Sequence, residues 1–248
     1  MDDSLGTTAI VILAFLLGGL VKGVIGLGLP TVAIGIMGLA MTPANAAALL
    51  VVPSLVTNIW QFMAGPRLAP LLRRLWPMLA GICLGTFAGA GLLSGDSSGR
   101  ATIALGVALI LYAVVGLASV QFSVSARAEP WLSPLIGAAT GIVTAATGVF
   151  VIPAVPYLQA LTLTRDEHVQ ALGLSFTVST VALAAVLAHA GIFRPSVAGA
   201  SLLALVPTLA GMLLGQRIRH RISPAAFRIC LFLGLLVLGC HLALRALI

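Results

Sequence analysis

Apolar residues run along this chain in eight stretches, near 8–37, 43–64, 69–93, 101–120, 133–161, 168–190, 195–216 and 225–247, with short polar or proline-containing connections between them. A bilayer core about 30 Å thick takes roughly 20 helical residues to cross. Six of the stretches have about that length. The first and fifth are near 30 residues, which at 1.5 Å per residue would make a helix of roughly 45 Å, longer than the bilayer is thick. Both are broken internally. Segment 1 contains Lys22-Gly23-Val24-Ile25-Gly26-Leu27-Gly28-Leu29-Pro30, and segment 5 contains Thr144-Ala145-Ala146-Thr147-Gly148 before Pro153 and Pro156. Glycine and proline weaken or interrupt a helical ladder at such positions. Each segment is therefore expected to be a kinked helix or a re-entrant hairpin.

The halves resemble each other. Pro77-Met78-Leu79-Ala80-Gly81-Ile82-Cys83-Leu84-Gly85 lines up with Pro207-Thr208-Leu209-Ala210-Gly211-Met212-Leu213-Leu214-Gly215. Gly19-x3-Gly23 matches Gly137-x3-Gly141, and Arg100-x5-Gly106 matches Arg228-x5-Gly234. The polar stretch from Ser119 to Pro130 divides them, so the expected organisation is a first repeat over 1–118, a linker over 119–132 and a second repeat over 133–248.

Composition agrees with a lipid solvent: 60% of the residues are hydrophobic and 8% charged, too little polar surface to cover a water-soluble domain. The net charge of +7 comes from arginines at the ends of apolar runs, and this distribution excludes a nucleic-acid-binding face. If all eight segments crossed, six arginines would fall on each side. If segments 1 and 5 turn back, Arg67, Arg73, Arg74, Arg127, Arg165, Arg217, Arg219, Arg221 and Arg228 share one side and Arg100, Arg194 and Arg245 the other. The second arrangement obeys the positive-inside rule, with the nine-arginine face cytoplasmic. The count alone needs only segment 5 to turn back, and the repeat extends the same reading to segment 1. An odd number of crossings per half then inverts the second half relative to the first. The fold expected is an all-α polytopic membrane protein of two inverted repeats. The acidic start, Met1-Asp2-Asp3, does not read as a cleaved signal. The three cysteines, Cys83, Cys230 and Cys240, read as buried thiols that form no bridge, and no metal or cofactor is expected.

The six carboxylates, Asp2, Asp3, Asp96, Glu129, Asp166 and Glu167, lie at a terminus or in connections, whereas Lys22 lies deep in an apolar segment. An intramembrane ammonium costs about 2.5–3.5 kcal/mol on insertion scales. Either it snorkels to an interface or pairs with backbone carbonyls at the break, or its natural partner is an anion from outside. The breaks suit the same anion, because an interrupted helix presents free N–H groups and a positive dipole end. Gly26, Gly28 and Leu29, followed by Pro30, read as one such start, and Thr147-Gly148 as the other with Thr147 as cap. On segment 2, Ser54, Asn58 and Gln61 share one helical face; on segment 6, Ser175, Thr177, Ser179 and Thr180 form a polar group, with His189 near the end. The alternative for the hydroxyls is a bond to a neighbouring helix or their own i−4 carbonyl. Gly81, Gly85, Gly89, Gly211 and Gly215 read as sites of close helix packing, and Arg73 and Arg74 as interfacial anchors.

The pattern Gly19-x3-Gly23-x2-Gly26-x-Gly28-x-Pro30, then Pro43, Ala47 and Pro53-x3-Thr57-Asn58-x2-Gln61, resembles the sulfite exporter TauE/SafE family of membrane transporters. That resemblance implies a multi-pass permease of the bacterial cell (inner) membrane for sulfite, sulfonates or related small organic anions, and no enzyme. The expected partners are a small anionic substrate and the lipid bilayer, with a homo-oligomer left open. The candidate substrate-binding residues are Lys22, Gly26, Gly28, Leu29, Asn58, Gln61, Thr147, Gly148, Ser175 and Ser179. An anion channel, an intramembrane Ser-Lys hydrolase and an accessory membrane subunit stand as alternatives.

Overall fold

The structure, a computed structural model, describes residues 2–93, 98–118 and 123–246. Its described residues form ten helices: α1 (Asp2–Ile25), α2 (Leu29–Met37), α3 (Pro43–Met63), α4 (Leu68–Ala88), α5 (Ser98–Ala118), α6 (Glu129–Thr147), α7 (Ala154–Ala160), α8 (Arg165–His189), α9 (Pro195–Ile218) and α10 (Pro224–Arg245). The eight apolar stretches thus become eight helical units, with segment 1 split into α1 and α2 and segment 5 into α6 and α7. Their boundaries follow local signals. Thr42 and Ser223 cap α3 and α10, whose first residues are prolines, and Thr164 with Glu167 makes a capping box at the start of α8. By length and composition α1, α3, α5, α8, α9 and α10 can each cross a bilayer. The polar starts of α4 and α6, with Arg73, Arg74 and Glu129, lower their average hydropathy.

Helix pairing follows the internal repeat. α1 lies along α9 in parallel, and α6 lies along α4 in parallel. A Cβ on Gly211 would run into the Leu16 carbonyl, one on Gly215 into that of Leu20, and one on Gly85 into that of Ala138. Gly19 and Gly23 on α1, and Gly137 and Gly141 on α6, are equally tight against Thr208, Met212, Met78 and Ile82. The glycines that mark the repeat are those that let two helix backbones touch, where lipid offers no hydrophobic drive for association. The equivalent helices α3 and α8 pack antiparallel, with Gly173 against Asn58 and Phe62, as do α5 and α10, with Gly106 against Gly239 and Tyr112 edge-on to Phe232. Antiparallel contact between equivalent helices is the signature of an inverted repeat.

Both broken segments return to the face they leave. Arg74 reaches Glu129, which opens α6, and the Thr162 carbonyl, which follows α7, so the two ends of segment 5 sit beside one guanidinium. Arg245, closing α10, donates to the Leu39 carbonyl beyond α2. This puts the end of segment 1 opposite the turn between α9 and α10, toward which α1 runs. Arg67, Arg73, Arg74, Arg127, Arg165, Arg217, Arg219, Arg221 and Arg228 therefore share one face, and Trp60, Trp76 and Trp131 project outward near it, where an aromatic belt belongs. One expectation fails. Cys230 and Cys240 are exposed on the outer surface of α10 and Cys83 is half-buried; all three are free thiols, but they are not core residues.

Candidate functional site

Lys22 sits in the last turn of α1, 6% exposed, with its neighbours Gly19 and Gly23 pressed on α9. That packing turns its side chain toward α3, where Nζ donates to Thr57 Oγ1 at 3.0 Å and to Asn58 Oδ1. Both acceptors are neutral. Thr57 is free to accept because its own proton goes to the Pro53 carbonyl at 2.7 Å. No carboxylate among the described residues lies within ion-pair distance of the ammonium. By engaging Oδ1, Lys22 also fixes the Asn58 amide, leaving the 1%-exposed residue's Nδ2 with no partner; Ser54 Oγ, one turn earlier on the same face of α3, is buried and unpaired as well.

Just beyond Lys22 the chain breaks. The Gly26 N–H bonds the Lys22 carbonyl at 2.8 Å, and Gly28 takes φ +103°, a left-handed conformation that side chains rarely adopt. Leu29 and Pro30 then open α2, with no side chain capping them. The first-turn N–H groups of a helix lack intrahelical acceptors, so α2 begins with its positive end bare, close in the chain to Lys22. Thr31, in that first turn, has a buried hydroxyl with no partner.

The second break is built differently. Thr147 ends α6 and its hydroxyl donates to the Val143 carbonyl at 2.7 Å while accepting the Val149 N–H at 3.0 Å; Gly148 follows at φ +74°. The half-helix α7 starts at Ala154, so Thr147 steadies an extended stretch and is not the cap of a half-helix. Gly148 packs on Ile34 of α2 and Ala47 of α3, binding one hairpin to the other.

The breaks also differ in depth. Gly23 is level with Met212–Gln216, within the last two turns of α9, whereas Ala145 meets Gly89 at the opposite end of α4. They lie toward opposite faces, and one of them, the α1–α2 break, accompanies the lysine.

Of the candidates, the structure brings together Lys22, Asn58, Gly26, Gly28 and Leu29. Gln61 is engaged elsewhere, its Nε2 donating to the Val169 carbonyl of α8 at 3.1 Å. Ser175 and Ser179 are buried and unpaired, but they follow Gly173, which faces α3, by two and six residues. At 100° per residue they point to the far flank of α8, not to Lys22. Thr177 and Thr180 bond their own i−4 carbonyls at 2.7 Å.

Three further residues matter that the sequence reading did not single out. Thr57 stood in the motif without a role. Gln170, fully buried, donates to the Phe62 and Gly65 carbonyls at 2.8 and 3.0 Å and accepts the Arg67 N–H at 3.1 Å, closing the α3–α4 turn. Ser201 donates to the Leu49 carbonyl at 2.7 Å and accepts the Val52 N–H at 3.0 Å. A glutamine early in an apolar segment was the visible signal for the first; nothing near Ser201 in sequence marks the second.

A buried cation with neutral partners stands beside a helix break in a bundle whose corresponding helices pair antiparallel, an arrangement found among membrane transporters. The family model of the sulfite exporter TauE/SafE transporters matches residues 11–242, and the chain belongs to that family. No curated protein and no solved structure gives a significant match. It is a multi-pass membrane protein of a permease family that carries sulfite and related anions.

Proposed function

We propose that this chain exports a small oxyanion, sulfite or a sulfonate, across a bacterial inner membrane. Lys22 is the electrostatic anchor and Asn58 a hydrogen-bond donor, with Ser54 and the start of α2 at Gly28 and Leu29 completing the first contact. The observation that carries this reading is the buried ammonium held by two neutral oxygens with no carboxylate beside it. An anion that displaced or joined Thr57 and Asn58 would neutralise it, and Asn58 Nδ2 and Ser54 Oγ would gain the partners they lack. Ser175 and Ser179, with Thr147 and Gly148 at the second break, line the path when the molecule opens to the other face. Gln61 keeps α3 against α8 during that change. Export follows from the membrane potential, since each negative charge leaving a cell that is negative inside gains about 2.3 kcal/mol per 100 mV.

The test is efflux of labelled sulfite from proteoliposomes carrying the purified protein. Lys22→Gln is expected to lower the flux by at least tenfold while the protein still elutes and melts as the wild type does; Lys22→Arg retains part of it. Flux unchanged in Lys22→Gln refutes the anchor. Saturable flux supports a carrier, and unitary conductance in planar bilayers would replace it with a channel.

A further inference from the structure

Resting on that reading of Lys22, we infer that the site is charge-matched to a singly charged oxyanion and rejects dianions of the same shape. The inference comes from counting charge around the ammonium. Lys22 is the one charged side chain in the buried set of the described residues. The helices packed on α1 add no buried charge: α2 and α3 carry no titratable side chain, α9 carries Arg217, one residue past the Gly23 contact at Gln216 but exposed, and α10 carries Arg228, Cys230, Cys240, His241 and Arg245, none of them buried. Elsewhere on the same face, Arg67 and Arg74 are engaged with Glu167 and Glu129, and Arg219 and Arg221, beyond the end of α9, are exposed. The atoms that hold the ammonium are neutral, Thr57 Oγ1 and Asn58 Oδ1, and the unpartnered Asn58 Nδ2 and Ser54 Oγ on the same face of α3 are neutral too.

A monoanion on Lys22 therefore makes a neutral pair, with amide and hydroxyl donors left for its remaining oxygens. A dianion leaves one negative charge uncompensated in a region walled by apolar helix. Hydrogen bonds from Asn58 and Ser54 lessen that cost but cannot cancel it, because neutral donors bring no net charge. The insertion cost of one bare charge at the bilayer centre would give roughly a hundredfold; nearer the arginine-rich face, where Lys22 sits, the expected discrimination is on the order of tenfold or more. Sulfonates, hydrogensulfite and small monocarboxylates belong to the accepted class; sulfate, thiosulfate and fully ionised sulfite do not. Sulfite is a sensitive probe because its second ionisation falls near neutrality, so pH alone changes the fraction that fits.

The experiment uses the full-length wild-type protein in liposomes, with labelled sulfite as tracer, membrane voltage clamped, and unlabelled methanesulfonate or sulfate as competitor. Expected is flux that follows the hydrogensulfite concentration between pH 6 and pH 8, strong competition by methanesulfonate, and competition by sulfate weaker by roughly tenfold or more. The pH dependence of inhibition by methanesulfonate, whose charge is constant, corrects for any titration of the protein. Sulfate competing within about threefold of methanesulfonate, failure of both to compete, or flux set by total sulfite at every pH overturns the charge match. Lys22→Gln separates the two claims. If it transports normally, the anchor itself is wrong. If it is inactive while sulfate competes well in the wild type, the anchor stands and the monoanion rule falls.

Discussion

Pro53 interrupts the hydrogen-bond ladder of α3, and the repair comes from another helix. Lacking an N–H, Pro53 cannot serve the Leu49 carbonyl one turn back. Ser201 of α9, fully buried, serves it instead at 2.7 Å and in the same stroke accepts the Val52 N–H at 3.0 Å. Ser201→Ala removes both bonds inside apolar surroundings. An unmet buried donor or acceptor costs about 1–3 kcal/mol, while hydrogen bonds between membrane helices average about 0.6 and reach about 1.7 kcal/mol, since the unfolded chain in lipid also finds partners. Two bonds together should destabilise by about 1–3 kcal/mol. Pro53→Ala supplies the missing N–H to the Leu49 carbonyl, so in that background Ser201→Ala no longer orphans that carbonyl and its cost falls by about half. The assay is a double-mutant cycle on equilibrium unfolding in mixed micelles. If Ser201→Ala costs the same in the wild-type and Pro53→Ala backgrounds, the repair is not what Ser201 does.

Other outcomes follow from the same geometry. Gly85→Ala sets a methyl against the Ala138 carbonyl and should lower thermal stability by about 1–3 kcal/mol; Gly234→Ala, with nothing within 4 Å of its Cβ, should raise it by about 0.5–1 kcal/mol. Gln170→Leu leaves the Phe62 and Gly65 carbonyls and the Arg67 N–H unmet, and should cost about 2–4 kcal/mol, read as unfolding in the same micelles. Arg74→Glu with Glu129→Arg should recover the stability that either change alone loses, because the pair is bidentate at 2.6 and 2.8 Å. In a variant without native cysteines, Ala40→Cys should label from outside the cell and Thr162→Cys from the cytoplasm; labelling of both from one side contradicts the paired hairpins.

What could be read from sequence was what depends on the chain alone. Apolar length gave the helices, and the glycines at Gly81, Gly85, Gly211 and Gly215 announced close packing because no side chain can occupy those contacts. The arginine count required segment 5 to turn back and the repeat carried this to segment 1; the helix pairing agrees with both. Lys22 was conspicuous as a lone charge, and Asn58 as an amide on an apolar helix. What escaped was whatever depends on neighbours. Ser175 and Ser179 looked equivalent to the threonines beside them, yet only the rotation of α8 about Gly173 decides which way they point. Thr147 resembled a helix cap because it precedes a glycine, but the following Val149–Pro153 stretch does not start a helix. The depth of each break was unreadable, since it is set by the register of α1 on α9 and of α6 on α4. Cys230 and Cys240 are apolar by habit, and a membrane helix can offer such residues to lipid as readily as to protein.

The register of α1 on α9 has an electrical consequence. If Lys22 is the anchor proposed above, its level within the last two turns of α9 means that an anion arriving from the nine-arginine face crosses little of the transmembrane field before it meets the ammonium. Nearly all the work of about 2.3 kcal/mol per 100 mV is then done between that point and the opposite side. On that proposal, capture from the arginine-rich compartment should be almost indifferent to voltage and the step that discharges the cargo should steepen with it, so that flux would rectify by virtue of where one side chain sits.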